Sequence, residues 1–127
     1  MSTRRFPVRF TGLNKAMYVL GMRPANSYIE VGDDTVAVRM GWAFSATFAR
    51  RDVRSVAADH DHVWGWGVHG LNGTWLLNGS SSGLVRVDLE PGVKARMFGL
   101  AVTLKVLRIA VQDPDGLIET LSTPVPA

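Results

Sequence analysis

Tyr28-Ile29-Glu30-Val31-Gly32-Asp33-Asp34-Thr35-Val36-Ala37-Val38-Arg39-Met40 is the stretch that decides the fold. Apolar residues recur at every second position on both sides of Gly32-Asp33-Asp34. That period places them on one face of an extended chain. Gly and Asp suit the left-handed backbone of a tight reversal. The stretch reads as a hairpin of Tyr28–Val31 and Thr35–Met40. Gly41-Trp42 leads on to Phe44–Ala49, with Phe44, Ala46 and Phe48 on one side, and Arg50-Arg51-Asp52 turns the chain into Val53–Ala58.

The same period continues downstream. Val63–Val68 places Trp64, Trp66 and Val68 on one strand face and the bare Gly65 and Gly67 on the other. Asn72-Gly73 is a two-residue hairpin signal, after which Thr74–Leu77 returns. Asn78–Gly83 is a loop. Leu84–Leu89 sets Val85, Val87 and Leu89 against Arg86 and Asp88. Glu90-Pro91-Gly92 reads as another turn, followed by a pair, Val93–Phe98 and Leu100–Lys105, and a last strand, Val106–Gln112. Asp113-Pro114 opens a helix, with Asp as N-cap and Pro at the first helical position, and Pro124 stops it.

Working upstream, residues 1–27 are irregular, with one short helical segment at Leu13–Met22 ended by Pro24. The expected architecture is therefore mainly β: one domain over residues 1–127. An N-terminal segment, 1–27, packs on an antiparallel barrel or split barrel of about seven strands, 28–112. A capping helix, 113–122, and a tail, 123–127, follow. Consecutive strands joined by short polar turns imply a meander, whose open end needs a cover.

Composition agrees with that frame. The 127 residues are 46% hydrophobic and 20% charged, which excludes a disordered chain. Cysteine is absent, which excludes disulfides, thiolate metal sites and cysteine nucleophiles. Thirteen glycines are more than the average of about 7% would supply. The net charge is +3, with eleven of the fourteen basic residues being Arg. Residues 1–58 hold nine basic and four acidic side chains; residues 59–127 hold five and seven. No apolar run approaches a membrane span, and no secretory segment is present. The expectation is a cytoplasmic protein.

Three of these runs resemble the bacterial pleckstrin-homology-like (PH-like) families of uncharacterised function. Val31–Trp42 is similar to their first hairpin. Ala49-Arg50-Arg51-Asp52-Val53-Arg54-Ser55-Val56 resembles their turn into a strand, with Ala49-Arg50 where isoleucine–proline is usual. Leu107–Ile118 is similar to their last strand running into the cap helix. Together these runs span residues 28–121. The resemblance implies a bent antiparallel barrel closed by a C-terminal helix, a scaffold that leaves function open. The basic lipid-headgroup motif of the eukaryotic relatives lies between the first two strands. Gly32-Asp33-Asp34 is acidic there, so that activity is not implied.

Each candidate site also has an ordinary structural role. His60 and His62 in Asp59-His60-Asp61-His62 share one face of an extended segment and could chelate a metal. Asp59 and Asp61 point the other way, so the plainer reading is an exposed polar connection. Ser80, Ser81 and Ser82 sit in a loop, outside any nucleophile elbow. Gly65-Trp66-Gly67-Val68-His69-Gly70 matches a phosphate-loop pattern in letters only, with no helix following. Trp64, Trp66 and Trp75 are either barrel filling or a ligand or partner platform. Arg50, Arg51 and Arg54 form the densest basic group, a solvated turn or a partner surface; their scatter argues against nucleic acid.

These residues hold no catalytic set. The reading is a non-catalytic interaction or scaffold domain, without a cofactor, that binds a protein partner or another copy of itself. The alternative is a small barrel holding a hydrophobic ligand, with softening from four of the five methionines Met1, Met17, Met22, Met40 and Met97. A His-based metal protein is the third reading.

Overall fold

The computed structural model describes residues 3–10, 26–60, 67–71, 73–78 and 83–122. Nine strands and one helix follow in order: β1 Arg4–Pro7, β2 Ser27–Val31, β3 Thr35–Met40, β4 Phe44–Ala49, β5 Val53–Ala58, β6 Gly67–Leu71, β7 Thr74–Asn78, β8 Leu84–Met97, β9 Leu100–Ala110 and α1 Pro114–Ser122. The strands form one curled, open sheet with neighbour order β1-β2-β3-β4-β8-β9-β7-β6, and β5 pairs with β8. The architecture is mainly β with a C-terminal helix, as the hairpin pattern implied.

The period of two is visible in the burial. Ile29 and Val31, then Val36, Val38 and Met40, then Phe44, Ala46 and Phe48 all face inward. They meet Val85, Val87 and Leu89 of β8 and Leu104, Leu107 and Ile109 of β9 in one contiguous core. Leu117 and Leu121 of α1 join that core. The Asp113 side chain accepts a 3.0 Å bond from the Gly116 amide, the N-cap expected from sequence.

Three features depart from the expectation. First, Glu90-Pro91-Gly92 does not reverse the chain. It lies inside the 14-residue β8, where the register to β9 shifts between Asp88 and Val93. Proline has no ladder donor, so a strand accommodates it at such an irregularity. There β8 changes partner: its first half pairs with β5 and its last residues pair with β4.

Second, the sheet is not a simple meander. β7 pairs parallel to β9, so β9 lies between β7 and β8. β9 forms last in the chain and is apolar on both faces where it is deepest: Leu107, Ile109 and Ala110 are all fully buried. A strand buried on both faces takes a central place.

Third, the N-terminal stretch is partly strand. β1 pairs antiparallel with β2 and buries Phe6. Beyond β1, Val8 bridges Val111, Arg9 N–H donates to the Ala110 carbonyl at 2.8 Å, and Gln112 N–H donates to the Pro7 carbonyl at 3.0 Å. The curl thus brings the first strand back to the end of β9. Among the described residues the sheet counts nine strands with β1 included, and its curled, half-closed form is the barrel-like fold expected. The helical segment expected at Leu13–Met22 lies outside the described residues.

Candidate functional site

Two hairpin tips lie side by side at one end of the sheet. Gly41, Trp42 and Ala43 join β3 to β4; Phe98 and Gly99 join β8 to β9. Pairing of Phe44 with Met97 and of Met97 with Leu100 brings the tips together. The Trp42 and Phe98 rings stand 5.2 Å apart, tilted by 48°. Neither is part of the core. Trp42 is 61% exposed, Phe98 53% and Leu100 67%. An exposed aromatic pair with an adjacent leucine is costly to hydrate, and such patches commonly mark contact sites.

The backbone beneath the pair is fixed. Gly41 adopts φ 52° and Gly99 φ 81°, the left-handed conformation that glycine reaches most readily. The Gly41 amide donates to the Asn26 carbonyl at 3.0 Å and to Ser27 Oγ at 3.1 Å. Ser27 is fully buried. Two arginines brace the tips: Arg39 Nε donates to the Gly41 carbonyl and Arg96 donates to the Gly99 carbonyl, each at 3.0 Å.

Next to the tip, on the outer face, is an open depression of about 250 Å³. Ser45, Thr47, Lys94 and Arg96 ring it, and Ala46, Ala95 and Ala101 leave it shallow. It lies where β4 and β8 part company, since their pairing ends at Ala46 opposite Ala95.

The residues singled out from sequence lie elsewhere. Trp75 is buried, packs on Phe44 with ring centroids 5.8 Å apart, and donates its indole N–H to the Thr103 carbonyl at 2.9 Å. It fills the interior. Trp64, Trp66 and His62 lie outside the described residues. His60 is exposed. Its neighbour Asp59 differs. Its side chain is only 2% exposed and pairs with Arg108 at 2.5 Å: β5 runs along β8, where Asp59 N–H donates to the Leu84 carbonyl, and β9 with Arg108 is the next strand over. No group of three or more His, Asp or Glu side chains converges among the described residues.

The three arginines do not converge on one ligand position. Arg50 is half-buried and donates to the Gly32 carbonyl at 3.0 Å and to the Thr120 carbonyl at 2.5 Å, tying the first hairpin to α1. Arg51 is exposed. Arg54 pairs with Glu90 at 2.6 Å, both well exposed. Trp42, Phe98 and Leu100 were not singled out from sequence, although a signal exists. A bulky residue beside a turn glycine sits past the last inward position of its strand, so no core face is open to it.

No helix among the described residues is long and apolar enough to cross a membrane. No family model, curated protein or solved structure matches this chain.

Proposed function

We propose that this chain is a non-catalytic interaction domain of PH-like type that binds a protein partner, or a second copy of itself, through the tip formed by Trp42, Phe98 and Leu100. The exposure of Trp42, Phe98 and Leu100 carries the reading. Large aromatic side chains left in water next to a well-packed interior are the usual anchors of an interface, since burying each returns a few kcal/mol. The curled, mainly β sheet and the C-terminal helix agree with the PH-like reading.

A photo-crosslinking amino acid placed at position 42 tests this in cells. The expected result is a discrete adduct, to one partner or to a second copy, that is absent when the same group replaces exposed Ala57 on β5. Equal labelling from both positions, or none from position 42, overturns the reading.

A further inference from the structure

The depression beside the tip gives that partner a chemistry. Resting on the interaction reading above, we infer that the partner presents an extended segment carrying an acidic side chain, which seats between Lys94 and Arg96 while an apolar neighbour covers Trp42, Phe98 and Leu100.

Charge is the first argument. The ring of the depression holds two cations, Lys94 and Arg96, and two hydroxyls, Ser45 and Thr47, and no carboxylate. Lys94 makes no hydrogen bond or ion pair among the described residues, and neither hydroxyl is engaged by a protein group there. Arg96 donates from one nitrogen to the Gly99 carbonyl. That contact holds the side chain toward the tip and leaves the rest of the guanidinium fork for a carboxylate or a phosphorylated side chain.

Shape is the second. Ala46 and Ala95 turn their side chains into the core and exposed Ala101 carries no atoms beyond Cβ, so a backbone approaching from outside reaches the sheet surface at that level. Ser45 and Thr47 each offer a donor and an acceptor to such a backbone. The third is spacing. Arg96 sits opposite Ala101, one pair from Met97 opposite Leu100, and Lys94 sits opposite Thr103. Lys94 is three strand residues from the tip row, about 10 Å. An extended partner segment covers that distance in about three residues. Its acid and its apolar anchor therefore lie about three residues apart.

Selection of displayed random decapeptides on the immobilised full-length protein tests this. The expected enrichment is an Asp or Glu about three residues from a Leu, Phe or Trp. The double variant K94E/R96E, whose exposed positions spare the fold as checked by circular dichroism, is expected to reverse the preference to Lys or Arg. W42S is expected to remove the apolar half of the motif and keep the acid. An enriched motif without acidic bias, an unchanged preference in K94E/R96E, or no enrichment over blank resin overturns the inference. So does binding to phosphatidylcholine–phosphatidylglycerol vesicles without peptide enrichment. A partner crosslinked from position 42 whose capture ignores K94E/R96E rejects the acidic assignment alone; no adduct from position 42 rejects the interaction reading itself.

Discussion

The backbone N–H of Phe98 donates to the Ala43 carbonyl at 2.8 Å, so the turn that follows β8 hangs from the turn that precedes β4. Phe98 holds this position with φ at 50°, the left-handed region that a bulky residue seldom occupies. A strained residue is kept here with its ring half in water. That ring lies against Trp42 at a tilt of 48°, a contact that offsets part of the strain.

Phe98→Gly separates the two roles. Glycine adopts the same backbone at no steric cost. Urea denaturation is expected to show stability unchanged or raised by up to about 1 kcal/mol, while crosslinking from position 42 falls. A loss of more than about 2 kcal/mol would show that the ring is structural.

Asp59 and Arg108 are the most buried ion pair among the described residues, with side chains 2% and 16% exposed. Removing Asp59 takes away the carboxylate that Arg108 holds at 2.5 Å in a site shielded from water. Asp59→Ala is expected to cost about 3 kcal/mol in chemical denaturation. The double variant D59A/R108M is expected to recover most of that loss, because the desolvation cost of the pair goes with both of its charges.

Gly83 has φ 76°, and a Cβ there would lie 2.7 Å from the Val111 carbonyl oxygen. Its own carbonyl accepts from Val111 N–H at 3.0 Å. Gly83→Ala is expected to lower stability by about 2 kcal/mol through strain and loss of that bond. The melting temperature reports it.

Arg50 spans the Gly32 carbonyl and the Thr120 carbonyl. Arg50→Ala is expected to loosen α1 before the sheet, costing about 2 kcal/mol. Amide exchange should show protection lost first in residues 114–122 and kept in β8. Arg50→Lys is expected to rescue little, since one ammonium does not reproduce the fork.

Much of the sheet was legible from residue alternation. Thr35–Met40, Phe44–Ala49 and Val53–Ala58 are strands with those bounds, and Asp113 caps the helix. These are local properties, set by side-chain period and turn chemistry. The insertion of β9 beside β7 was not legible, because a parallel pairing leaves no mark on either strand alone. Pro91 misled for a related reason: proline excludes a regular ladder but does not say whether the chain turns or bulges. The tip was missed because Trp42 and Phe98 become neighbours only through the pairing of β4 with β8. The tryptophans that looked most like a platform include Trp75, which is spent on the core.

The bridge between Val8 and Val111 carries a consequence for how the chain acquires its shape. The contact that returns the first strand to β9 joins segments far apart in the chain, so the second leaves a ribosome long after the first, and the helix contacts of Arg4 and Arg50 follow the same long reach. No nascent chain shorter than about this span can complete its core. The domain assembles after its last strand is free, with the slow, non-local search of a high-contact-order β protein. Until then the apolar tip is exposed together with the unfinished interior, a window in which chaperone protection would matter most.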